Sequence, residues 1–154
     1  MVESRQKTKK LVSMAMLCAL AYLVMLVGRI PIVLFLKYDP KDIVIAIGGF
    51  LFGPVSAFVI SAVVSLIEMV TVSETGPIGL LMNVLSTIAF VCPAAFLYHR
   101  RRSLSSAVVG LILGGVSMTV VMLLWNYLIT PIYMGMPRAA VADLLVPVFL
   151  PFNL

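Results

Sequence analysis

Histidine occurs once in the 154 residues, cysteine twice, and aspartate and glutamate together only six times. The single histidine, His99, sits in a basic loop, and Cys18 and Cys92 lie in separate apolar runs where a thiol behaves as a small hydrophobe. A chain this poor in clustered His, Cys and carboxylates offers no ligand set for a catalytic or structural metal, and no disulfide is expected. No nucleophile–base pairing and no Gly-x-x-x-x-Gly-Lys phosphate loop occurs, which argues against an enzyme and places any ATP hydrolysis in another chain. Basic residues exceed acidic ones for a formal net charge of +5, but they fall at the ends of apolar runs rather than along one polar face, so a nucleic-acid partner is not indicated.

What fills the sequence is apolar: 62% hydrophobic and 11% charged residues, with a mean hydropathy of +1.17. A soluble domain has an apolar fraction nearer one half. The composition describes a single integral membrane domain, all-α because helices satisfy their own backbone in lipid. The expected spans are about 11–28, 41–52, 54–71, 78–98 and 104–129, with a sixth starting near 147–154. Basic residues precede Leu11–Gly28, yet no small-residue cleavage site follows it, so it reads as a retained first span rather than a signal peptide. Residues Val146 to Leu154 read as the beginning of a last helix that is cut short.

Orientation follows from the cations. Arg5, Lys7, Lys9 and Lys10 precede the first span, and His99-Arg100-Arg101-Arg102 follows the fourth, so both are expected in the cytoplasm. That requires the almost unbroken apolar run Ile43–Ile67 to turn back at Phe52-Gly53-Pro54. Proline lacks the N–H that a continuous helix needs, and glycine permits the tight turn.

Polar residues inside such a chain are costly and mark function by default. Lys37-Tyr38-Asp39-Pro40-Lys41-Asp42 places four charges in six residues at the mouth of the bundle, either as a ligand site or as a solvated boundary loop. Asp42, at a helix start, is expected to cap it. Glu68 lies near the outer end of the third span, where it either pairs with Lys37 or Lys41, faces a cavity, or snorkels to the interface. Asn83 in the fourth span either faces the same cavity or packs between helices.

The run Leu36-Lys37-Tyr38-Asp39-Pro40-Lys41-Asp42-Ile43, followed by Gly49-Phe50-Leu51-Phe52-Gly53-Pro54, resembles the substrate-binding S components of energy-coupling-factor (ECF) vitamin transporters, with the riboflavin-specific kind as the nearest likeness. Asn126-Tyr127, Pro131, Tyr133 and Pro151-Phe152-Asn153 extend the likeness from Ala15 to Asn153. The resemblance implies a six-helix membrane bundle that captures riboflavin or a related vitamin on the outside. It also implies delivery by docking on a membrane T component that carries two cytoplasmic ATPases, with no resident cofactor. Members of this family carry a lysine about one turn past the asparagine of Pro-Phe-Asn, a position beyond Leu154 here.

Riboflavin, a flat ring with an imide edge and a polyol tail, calls for an apolar slot with a few directed polar groups. On the resemblance, Asn126 presents donor and acceptor to the imide, beside Tyr127, and Asn153 does the same from the last helix; the other reading of Asn126 is a polar contact between helices. The loop Ile30–Lys41 would lie over the slot, with Leu36, Lys37 and Tyr38 offering backbone groups and an aromatic face, and Asp39 accepting from hydroxyls. Ala15 and Ala19 match the family's Ala-x-x-x-Ala contact for the T component; small residues four apart give a strip that another helix can approach, within or between chains. Gly110 and Gly114, equally spaced, read as internal packing. The methionines of the spans read as core filler. A competing function is a secondary, proton-coupled transporter that uses Glu68 as its carboxylate.

Overall fold

The computed structural model describes residues 2–33, 36–73, 75–135 and 137–153, and side chains for 3–30, 39–73, 75–135 and 137–151. Helix α1 (Val2–Gly28) leads into a two-stranded hairpin, β1 (Ile30–Val33) and β2 (Leu36–Tyr38). Helices α2 (Lys41–Phe52), α3 (Pro54–Thr71), α4 (Gly76–Arg101) and α5 (Leu104–Met134) follow. A last helical stretch comprises α6 (Arg138–Leu144), a π-helical turn (Leu145–Phe149) and α7 (Leu150–Asn153). The fold is thus a helical bundle with one small antiparallel hairpin, paired Ile30↔Tyr38 and Pro31↔Lys37.

Local chemistry explains the breaks. Gly53 ends α2 with φ 95° and ψ 170°, and Pro54 occupies the first turn of α3, where its missing N–H costs nothing. Ser103 caps α5 by accepting from the Ser106 N–H at 3.2 Å. Gly135 closes α5 in the left-handed region, at φ 62°. The last helix starts at Arg138, behind the extended Pro137, earlier than the run Val146–Leu154 suggested. Inside it Pro147 cannot donate, and the ladder widens to an i→i−5 bond from the Leu150 N–H to the Leu145 carbonyl. Helix α1 also starts earlier than the apolar run does, because its charged first turns remain helical, with an exposed Lys7–Glu3 pair at 2.8 Å.

Four helices, α1, α3, α4 and α5, are long and apolar enough to cross a membrane. Helix α2, with 12 residues, reaches only about 18 Å against a hydrocarbon core of roughly 30 Å. The outside of the bundle is as apolar as its inside: Leu104 is 82% exposed and Val55 and Val70 75% each, the pattern of side chains facing lipid. The central core joins α1, α2, α3 and α4 through Met14, Ala21, Ile45, Ile60, Val64 and Val91. Helix α5 lies against α4 through its glycines. A Cβ at Gly114 would stand 2.1 Å from the Phe90 carbonyl oxygen, and one at Gly110 2.9 Å from Ala94 Cα. The small-residue spacing is therefore a seam inside the chain, and it lets the two backbones touch.

Successive helices run antiparallel, which sorts the chain's features between two ends. Tyr22 of α1 donates to Thr71 of α3 at 2.8 Å, and Thr87 of α4 donates to Asp42 of α2 at 2.7 Å. The hairpin, the start of α2 and the end of α3 thereby share one end. At the other, the Gly53 turn lies beside the ring of His99.

Candidate functional site

The hairpin end holds a buried ion network. Arg29 stands just after α1, Asp39 just before α2, Lys41 at the first residue of α2 and Glu68 in the last turn of α3. Lys41 Nζ donates to Glu68 Oε2 at 2.6 Å and to Asp39 Oδ2 at 2.7 Å. Arg29 Nη2 donates to Asp39 Oδ2 at 3.1 Å and also to Glu68 Oε1. Lys41 and Glu68 are 1% and 2% exposed, so each would be prohibitively costly alone; together the two cations and two carboxylates cancel. Of the partners considered for Glu68, Lys41 is the one found among the described side chains, joined by Arg29. A carboxylate committed to two cations in this way gives no support to the proton-coupled transporter that Glu68 suggested.

Asp42 departs from expectation. It lies in the first turn of α2, but the N-cap is Pro40, and it is Asp39 Oδ1 that accepts from the Lys41 N–H, at 3.4 Å. The Asp42 carboxylate instead accepts from Thr87 Oγ1 and ties α2 to α4. The interior partner wins because the side chain is half-buried beside α4, where an unpaired carboxylate would be costly.

At the same end, the start of α4 and the end of α5 part to leave a shallow open cleft. Thr75, Gly79 and Met82 form one wall, and Trp125, Asn126 and Tyr133 the other. The surface is therefore mostly apolar and aromatic, with a few hydroxyl and amide groups. Asn126 Nδ2 donates to the Met122 carbonyl at 2.8 Å, and Asn126 Oδ1 accepts from Thr130 Oγ1 at 3.2 Å. These bonds lock the amide's orientation and, among the described residues, use one of its two donors and one of its two acceptor positions. Asn126 has no accessible surface although it lines the cleft, so a ligand reaches it only when neighbouring side chains part.

The remaining expected site residues are distributed more widely. Asn83 is half-buried on α4, one residue beyond Met82 and outside the lining of the cleft. Tyr127 is 39% exposed and also outside that lining; Tyr133 supplies an aromatic ring there instead. Leu36, Lys37 and Tyr38 form β2, and Asn153 ends α7; their side chains lie outside the described residues, as does Glu74. Ala15 and Ala19 are both exposed on α1, flanked by exposed Leu11, Val12, Met16 and Leu20. No group of three or more His, Cys, Asp or Glu side chains suited to a metal occurs among the described residues.

Three contributors were missed from sequence. Nothing in the sequence around Arg29 ties it to a carboxylate 39 residues away. Thr130 and Tyr133 follow Asn126 at i+4 and i+7, so helical spacing from the asparagine was the signal that could have found them. At the opposite end, Arg100 stacks on Phe96 at 4.6 Å from the ring centroid, and Arg100, Arg101 and Arg102 are all exposed.

Comparison with known proteins gives a consistent result. A family model described as "ECF transporter, substrate-specific component" matches residues 9–154. The riboflavin transporter FmnP of Bacillus subtilis is 30% identical over 161 residues, which cover 96% of this chain and 84% of that protein. The riboflavin transporter RibU of Staphylococcus aureus is 30% identical over 158 residues, covering 97% and 82%. A solved structure of the S component of a bacterial ECF transporter superposes with a TM-score of 0.80 at 29% identity, covering 96% of this chain and 85% of that one.

Proposed function

This chain belongs to the substrate-specific components of ECF transporters, and from that membership we propose that it captures riboflavin in the α4–α5 cleft on the outer face of the membrane. It is a transport component and not an enzyme, and import is completed by a membrane T component and two ATPases. The observation that carries the reading is the wall formed by Trp125, Asn126 and Tyr133, which sets flat aromatic surface beside a buried amide whose orientation two hydrogen bonds fix. An isoalloxazine ring needs both. Two relatives spanning nearly the whole chain are named riboflavin transporters, which favours riboflavin over other vitamins.

Within this reading Asn126 and Asn153 meet the ring's polar edge, and Leu36, Lys37, Tyr38 and Asp39 bring the hairpin across the cleft. Asn83 and Tyr127 border the site, and Glu68 supports it from below. The termini of α1 and α4 rich in Lys and Arg lie in the cytoplasm, which puts the hairpin outside. Ala15 and Ala19 offer the T component a low strip on the lipid-facing side of α1.

The experiment exploits the one tryptophan of the chain, which lines the cleft. Riboflavin added to the purified protein in detergent quenches Trp125 emission in a saturable titration, and protein purified from riboflavin-containing medium carries flavin absorption. Colourless protein whose tryptophan emission ignores riboflavin but responds to another vitamin would move the substrate assignment to that vitamin.

A further inference from the structure

The ion network does more than mark a membrane boundary. Arg29 immediately precedes β1 and Asp39 immediately follows β2, so these two residues are the feet of the hairpin. Their mutual bond of 3.1 Å closes the hairpin at its base. Both feet then converge on Glu68: Arg29 bonds it directly, and Asp39 is linked through Lys41 Nζ, 2.7 Å from one carboxylate and 2.6 Å from the other. Each oxygen of Glu68 takes a different cation, so a single side chain holds both ends of the hairpin.

Glu68 also reaches the cleft wall. Its backbone carbonyl accepts from the N–H groups of Val72 and Ser73, at 3.0 Å each, fixing the turn after α3. The Thr75 N–H donates to Ser73 Oγ at 3.3 Å, and Thr75 lines the cleft. A continuous bonded path thus leads from the feet of the hairpin through Glu68 to the wall of the ligand site. The network is formally neutral and, at Lys41 and Glu68, nearly sealed from solvent. Its two-pronged geometry is that of a mechanical anchor.

We propose that Glu68 is a positioning residue for capture, clamping both feet of the β1–β2 hairpin to α3 and so setting how long the vitamin stays bound. The proposal rests on the riboflavin reading for its ligand, but the clamp itself concerns the hairpin and is measurable without any ligand. Two readouts follow. In stopped-flow release, with Trp125 emission reporting departure of riboflavin from the full chain, Glu68→Gln keeps the side chain's shape and removes its charge. We expect release about tenfold faster with association changed less than about threefold, because loss of a clamp acts on the off-rate. Arg29→Gln, at a side chain only partly buried, shifts release in the same direction. In ligand-free protein, deuterium labelling follows the paired backbone amides of β1 and β2. Glu68→Gln speeds that labelling about fivefold, since a freed hairpin samples open states more often.

Unchanged release and unchanged labelling in folded variants overturn the clamp, as does slowed association with release unaltered. Should Glu68→Gln fail to fold, Arg29→Gln decides by the same two measurements. Should the unsubstituted protein fail to bind riboflavin at all, the ligand reading falls, and labelling alone still judges the clamp.

Discussion

The two ends of this bundle carry cations under opposite conditions. At the hairpin end Arg29 and Lys41 are drawn inward and paired with Asp39 and Glu68. At the other end Arg100, Arg101 and Arg102 stay exposed, with Arg100 resting on the face of Phe96. The residue types are the same, so the difference lies in desolvation. A buried charge in an apolar bundle must find a partner, and the partner then fixes how elements meet. An exposed charge needs none and serves to mark a membrane face. Cations therefore do structural work at one end of the molecule and topological work at the other.

The largest effect should come from breaking the buried side of this contrast. Lys41→Met leaves two carboxylates with Arg29 alone, and thermal or denaturant unfolding in detergent should show a loss of about 3–5 kcal/mol, the usual cost of orphaning a buried charge. Next, Asn126→Ala removes the cleft's amide and should weaken riboflavin binding by about 1–3 kcal/mol in a fluorescence titration; an unchanged titration would take Asn126 out of the site. Thr87→Val deletes the hydroxyl that serves Asp42, and unfolding should register about 1 kcal/mol, the typical net worth of one hydrogen bond. Arg101→Ala, at the exposed end, should change stability by no more than about 0.5 kcal/mol. A large loss there, comparable with Lys41→Met, would erase the distinction between the two ends.

Much of the fold was legible because it is written in local chemistry. The turn at Phe52-Gly53-Pro54 follows from one residue that tolerates φ 95° and one that cannot donate. The apolar runs gave the helices, and Ser103 and Gly135 mark where α5 begins and ends. Asn126 was legible as a polar side chain in an apolar helix, which has few reasons to exist apart from a partner or a ligand. Its neighbour Tyr127 lies outside the lining of the cleft: α5 is apolar nearly all round, so no periodicity says which face turns inward. Asp42 was read by its place at a helix start, while its true partner, Thr87, lies 45 residues on.

Taken alone, the chain's chemistry dictated a membrane bundle, its turning points, the sorting of cations to its ends, and which few polar side chains must be accounted for. Each of these depends on a residue and its immediate neighbours, or on transfer from water to lipid, and both are properties of composition and order. Only the tertiary structure decided that Arg29, Asp39 and Lys41 meet at Glu68 and that Asn126 and Tyr133 face Thr75 and Gly79. Those encounters depend on how helices rotate about their own axes, and that rotation is set by close contacts such as Gly114 against the Phe90 carbonyl, between residues far apart in the chain.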